Sequence, residues 1–203
     1  MTAIWLEPKP LILASQSQVR QALLANAGLS FETVPAEIDE RAIQRNSGLT
    51  KSDEIAVRLA CEKAREVSSR APGRYVIGAD QTLECDGRPF DKPAGRAGAT
   101  EHLRALSGRT HTLHAAVAIV RDGKLLFENV SAARMTMREL SEDAIEAYLN
   151  AVGDAATASV GAYQLEKLGV HLFSRIDGDH FTILGLPLLP LLAFLRGQGL
   201  LSL

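Results

Sequence analysis

With 203 residues, 46% of them hydrophobic and 23% charged, the chain has the make-up of one globular domain with a sizeable core, expected to span residues 1–203. Its formal charge of −2 excludes bulk attraction to nucleic acid or to an anionic membrane, and leaves room for a local basic site. The two cysteines, Cys61 and Cys85, form neither a disulfide framework nor a metal-binding spacing, which suits a reducing compartment. The N-terminal MTAIWLEPKP lacks the basic region, apolar core and small-residue cleavage site of a signal peptide. The most apolar stretch, LGLPLLPLLAFL, carries two prolines and is shorter than the ~20 apolar residues of a membrane span. A cytoplasmic protein with no membrane or nucleic-acid partner is expected.

In chain order, PLILA reads as a buried strand bounded by Pro10 and Ser15. QVRQALLANAG has apolar residues at helical spacing (Val19, Ala22, Leu23, Ala27), with Gly28 where a helix C-terminal glycine belongs. FETVPA returns as a strand, and the polar DERAIQRNSGLTKS reads as a loop. Thr50 with Asp53 resembles a capping box opening a long helix over EIAVRLACEKAREVSSR. RYVIGAD reads as a buried strand that stops on Gly-Ala-Asp, and ATEHLRALSG as a helix ending at Gly108. THTLHAAVAIV is apolar on both faces and belongs at the centre of a sheet. Asp122-Gly123 predicts a tight hairpin turn into KLLFENVSAARMTMR. Ser141 caps a helix that Gly153 ends, VHLFSRI–DG–FTIL looks like another hairpin, and Leu186-Pro187 opens the last helix. Alternating strands and helices followed by a long hairpin predict an α/β fold, a mixed sheet flanked by helices.

Strand, short loop and helix around LILASQSQVR form a natural anion site. A helix start leaves N–H groups unpaired and carries a partial positive charge. Ser15 and Ser17 add hydroxyl donors, and Arg20 in the first helical turn offers a bidentate fork, so a triphosphate tail fits. Ser17 acting only as a helix cap is the competing reading, and the segment is not a GxxxxGK[ST] loop. Asp80, ending a buried strand, is placed either to hold Mg²⁺ or take a proton from water, or simply to start a turn. Lys92 beside Pro93 is placed either to neutralise phosphate or, as the commoner case, to be an ordinary exposed loop lysine, and Lys63 inside the long helix says less by itself. His111 and His114, three apart on a strand, point to opposite faces and cannot share a metal, and DGDH reads as a hairpin turn.

The segments LILASQSQVRQALLANAG, EIDER, VRLACEKA, VIGADQ, DKPAGR, LSGRTHTL, GAYQLEKLGVHLF and IDGDHFTILGLPL, taken in order, resemble the Maf family of nucleoside triphosphate pyrophosphatases over nearly the whole chain. The resemblance implies an ITPase-like twisted mixed β-sheet flanked by helices, with two lobes around a nucleotide cleft and often a homodimer. It implies hydrolysis of a nucleoside triphosphate to monophosphate and pyrophosphate with a divalent cation, Mg²⁺ or Mn²⁺. By position, Ser15, Ser17 and Arg20 look like the phosphate loop, and Lys63 and Lys92 like phosphate-binding cations. Asp80 looks like the catalytic acceptor, sharing the metal and the activation of water with Glu40.

The chain departs from the family's usual S-x-S-P-R-R loop, since Gln18, Val19 and Gln21 stand where Pro, a branch-specific side chain and Arg are common. Gln81, SVGAY and Glu166 look more like the branch that prefers 7-methyl-GTP than the branch that cleaves dTTP and UTP. A carboxylate at Glu166 would accept the two N–H donors on guanine's pairing edge, whereas uracil or thymine suits an amide. Val19 stands where the 7-methyl-GTP branch carries tryptophan, and valine cannot stack on a cationic base. A dTTP or UTP pyrophosphatase, and a non-catalytic nucleotide-binding regulator of cell division, are the alternatives.

Overall fold

The leading apolar run becomes β1 (Leu11–Leu13) and hands over through a short loop to α1 (Gln18–Asn26). The computed structural model describes residues 4–203, so the first three residues of MTAIWLEPKP lie outside it. Then follow β2 (Phe31–Thr33), α2 (Glu40–Ser47), α3 (Ser52–Ser69), β3 (Val76–Cys85), β4 (Arg88–Phe90) and α4 (Gly95–Leu106). The long antiparallel pair β5 (Thr110–Arg121) and β6 (Lys124–Met137) leads into α5 (Glu142–Val152), and three short 3₁₀ turns lead to β7 (Phe173–Asp177). The chain closes with α6 (His180–Ile183) and α7 (Leu188–Gly197). One mixed sheet runs in the order β2-β1-β3-β5-β6-β7, with β4 paired to β3. β1 is parallel to β2 and β3, while β5, β6 and β7 add on antiparallel. Among the described residues no helix is long and apolar enough to cross a membrane.

The two-faced apolar pattern of β5 is explained by what covers it. Val117 and Ile119 pack with β1, α1 and α7, while Ala116, Ala118 and Val120 pack under α3. A third cluster joins the other end of the sheet to α4 and α5 through Leu83, Leu103, Leu113, Met135 and Leu149. α3 lies so close to β3 that Gly78 has no room for a side chain. A Cβ there would overlap the Ala60 carbonyl oxygen and sit 2.8 Å from the Ala64 nitrogen. Backbone cannot swing aside as a side chain can, so Gly78→Ala is expected to destabilise the fold by about 3 kcal/mol, near the upper end of ordinary overpacking. The check is a denaturant melt, and a loss below about 1 kcal/mol would mean that α3 shifts freely.

Four local expectations are corrected. The polar DERAIQRNSG segment is α2, not a loop: Asp39 caps it by accepting from Ala42 N at 2.9 Å, and Gly48 ends it at φ 68°. It escapes a pattern search because it buries no residue and so shows no apolar stripe. Thr50 does not cap α3; Lys51 occupies the cap position without a side-chain bond, and Asp53 and Glu54 complement the helix dipole in the first turn. β3 does not stop at Asp80 but continues to Cys85, because β5 pairs with it from Val76 through Glu84. Finally, FTIL is not a hairpin strand. Asp179 Oδ2 accepts from Thr182 N at 2.9 Å and from Thr182 Oγ1 at 3.1 Å, which starts the single turn α6. The Asp122-Gly123 turn is as expected, with both residues at positive φ (51° and 75°).

Candidate active site

Ser17 does cap α1, its Oγ accepting from Arg20 N at 3.4 Å. The cap is one part of a larger arrangement. Ser15 Oγ accepts from Ser17 N at 3.3 Å and from Arg20 Nη1 at 3.2 Å. Both hydroxyl oxygens therefore act as acceptors within the loop, which leaves their O–H groups to donate outward. Of the first-turn N–H groups of α1, that of Arg20 is taken up by Ser17, while those of Gln18 and Val19 have no protein acceptor among the described residues.

Arg20 is pinned by neutral acceptors. Its Nε donates to Gly185 O at 2.7 Å, and its Nη1 donates to Ala79 O at 3.0 Å as well as to Ser15. None of these partners is a carboxylate, so the guanidinium is held in place without being neutralised by contact. Burial pulls its pKa down, while the fields of Asp80 and Glu40 pull it up.

Asp80 sits mid-strand with 7% of its surface exposed. Lys63 reaches it from α3, with Nζ 2.6 Å from Asp80 Oδ1 and 2.8 Å from Glu40 Oε1. One ammonium thus joins a buried carboxylate on β3 to a half-exposed one on α2. Burial pushes the Asp80 carboxyl above its ordinary value, and Lys63 and Arg20 oppose that rise.

All of these groups line one cleft of about 1560 Å³. Lys92, Val19, Gln81 and Glu166 line it too, so every site residue expected from the sequence faces a common space. Lys92 and Glu166 are exposed, and Lys92 has no ion-pair partner among the described residues. Gln81 turns its amide nitrogen to Thr182 O at 3.1 Å and Ile183 O at 3.0 Å. Gln21 lies outside the cleft lining, and its amide bonds Gln16 O at 3.4 Å. Arg41 and Lys167 were not singled out from the sequence, yet both line the cleft. Arg41 directly follows Glu40 in EIDER, and that adjacency was the available signal.

The donor set bears on the divalent cation. Among the described residues no three His, Cys, Asp or Glu side chains cluster as a metal cage. Two carboxylates on one wall fit a hard cation such as Mg²⁺, which ordinarily takes one or two protein carboxylates and completes its shell with phosphate oxygens and water. The histidines serve elsewhere: buried His111 pairs its Nε2 with Tyr163 Oη at 2.7 Å, and burial lowers its pKa to about 4. A smaller pocket of about 330 Å³ between α3 and β6 holds Cys61, which donates to Glu128 Oε2. That thiol, pushed to about 12, is no nucleophile at neutral pH.

The fold is α/β, and its cleft gathers two serine hydroxyls, several cations and a buried carboxylate. The chain belongs to the Maf family, whose model (Maf-like protein) matches residues 10–198. It is 84% identical over 201 residues to the nucleoside triphosphate pyrophosphatase of Nitrobacter hamburgensis, covering 99% of this chain and 100% of that one. It is 54% identical over 191 residues to the 7-methyl-GTP pyrophosphatase of Rhizobium etli, covering 93% and 96%. A solved HAM1 protein from Coxiella burnetii superposes with a TM-score of 0.45 at 20% identity, over 63% of this chain and 72% of that one.

Proposed function

We propose that this chain hydrolyses a nucleoside 5′-triphosphate to the monophosphate and pyrophosphate. The observation that carries the proposal is the cleft itself. Within it, a guanidinium anchored only on neutral acceptors faces the same space as the buried Asp80–Lys63–Glu40 chain. The names of the close Maf relatives support the same reading.

The phosphate tail lies against the α1 start, where Ser15 and Ser17 donate hydroxyl hydrogens and Arg20 donates its free N–H groups. Lys92 and Lys63 offset charge that grows on the pyrophosphate as it leaves. Asp80 and Glu40, through the oxygens not paired with Lys63, would hold a divalent cation, which would supply Lewis-acid polarisation of the phosphate oxygens and a more acidic water. Asp80, whose ionised form Lys63 and Arg20 favour against the effect of burial, accepts the proton of the water that attacks the α-phosphorus. The bond to the bridging oxygen then breaks, and pyrophosphate departs with the electron pair.

For the base, we propose a guanine nucleotide, 7-methyl-GTP among them, read by Glu166 at the exposed side of the cleft. The carboxylate accepts both N–H donors of guanine's pairing edge. The second reading, dTTP, UTP or another minor nucleotide, is favoured by Val19, which gives a cationic base nothing to stack on. Pyrophosphate release from a panel of triphosphates with Mg²⁺ tests both. Glu166→Gln is expected to lower kcat/KM for guanine substrates by about tenfold or more and to raise relative activity on UTP and dTTP. An unchanged ranking would remove Glu166 from base recognition. Binding across the panel without turnover would favour a non-catalytic regulator.

A further inference from the structure

Resting on the triphosphate reading above, we infer that Gln81 and Gly185 are positioning residues. They set the Arg20 guanidinium through the end of α6. Asp80 and Gln81 are neighbours on β3 and point to opposite faces of the sheet. Asp80 meets Lys63, and Gln81 meets α6. The single amide nitrogen of Gln81 donates to two successive carbonyls, Thr182 O and Ile183 O. Thr182 O already takes Gly185 N at 3.0 Å, so Gln81 gives it a second donor and gives Ile183 O one that the helix end does not supply.

Two residues beyond Ile183 the chain turns through Gly185 at φ +88°, a backbone conformation that favours glycine. Its carbonyl takes the Arg20 Nε–H at 2.7 Å. A Cβ on Gly185 would lie 3.3 Å from Arg20 Nη2, 3.4 Å from Arg20 Nε and 3.4 Å from Gln81 Oε1. Gly185 is therefore wedged between the two side chains. Of the five guanidinium N–H groups, three are spent on Gly185, Ser15 and Ala79, and the pair on Nη2 is left for the ligand. What Gln81 holds is thus the orientation of those two donors. The inference gives Gln81 a task that does not depend on the base.

The test is a double-mutant cycle with Gln81→Met, which keeps length and removes the donors, and Arg20→Ala. Each protein is titrated calorimetrically with inorganic pyrophosphate and assayed on GTP, 7-methyl-GTP and UTP, with thermal melts to confirm folding. Gln81→Met is expected to weaken pyrophosphate binding and kcat/KM about tenfold, equally for all three bases, and to add nothing in the Arg20→Ala background. Gly185→Ala, a second route to the same defect, is expected to behave alike. Additive losses in the cycle, or a Gln81→Met effect that depends on the base, would overturn the positioning role and leave the triphosphate reading intact. Failure of the unmutated chain to bind pyrophosphate and to cleave any of the three would overturn both.

Discussion

Asp80→Asn is expected to cut pyrophosphate release on the order of 1,000-fold or more while leaving a folded protein. The amide is the same shape as the carboxylate, and its oxygen still accepts from Lys63 Nζ, which sits 2.6 Å away in the unmutated chain. Lys63 also keeps Glu40, so no buried cation is stranded. What is lost is the negative charge and the basic lone pair, both of which the proposed step uses. Steady-state rates beside a thermal melt check this. Activity within tenfold of the unmutated chain would remove Asp80 from the chemical step.

Lys63→Met acts on the same carboxylate from the other side. It is expected to lower kcat/KM on the order of 100-fold at neutral pH and to move the acidic limb of the rate profile upward. Burial already raises the Asp80 pKa, and Lys63 is the first of the opposing influences. Without that ammonium the carboxyl rises further and holds its proton to higher pH. With ionised Asp80 as the proposed acceptor, activity is expected to need a more alkaline solution. The stability consequence has a fixed sign. A carboxyl whose folded pKa is raised favours the folded state most at pH values below its ordinary 3.8. That contribution disappears as pH climbs through the raised value. The methionine variant is therefore expected to lose more stability at neutral pH than at acidic pH. Rate–pH profiles and melts at several pH values check both effects, and an unmoved acidic limb would mean that Lys63 does not govern Asp80.

The two halves of the site differ in how far the sequence exposes them. Ser15, Ser17 and Arg20 lie within one strand–loop–helix junction, so local periodicity and the abrupt end of an apolar run are enough to point at an anion site. The Asp80–Lys63 pair spans 17 positions and the Arg20–Gly185 bond 165, and no local pattern carries such partners. Asp80 looked like the end of a strand because Gly-Ala-Asp is turn-like in composition. Pairing with β5 overrides that propensity and draws the strand on to Cys85. In α2 the failure is of another kind. The inward side of this helix is only partly buried, and Ala42 and Ile43 are its only apolar residues, too few for a stripe, so its signals are the Asp39 cap and the Gly48 stop. That helix carries Glu40 and Arg41, so reading it as a loop hid the element that presents both to the cleft.

Gln21 illustrates a different gain. Its place in the loop raised the question whether it substitutes for a phosphate-binding arginine. Its amide is turned to Gln16 O, away from the cleft lining, and Arg41, Lys92 and Lys167 line the cleft with no ion-pair partner among the described residues. Charge missing from the first turn of α1 is thus present elsewhere on the cleft wall.

In the proposed reaction this cleft directs water at the α-phosphorus of a nucleoside triphosphate. Turnover of GTP in ¹⁸O-labelled water, followed by mass analysis of both products, measures that directly. Label in the nucleoside monophosphate and none in the pyrophosphate is the predicted result. Label in pyrophosphate, or release of inorganic phosphate in its place, would contradict it.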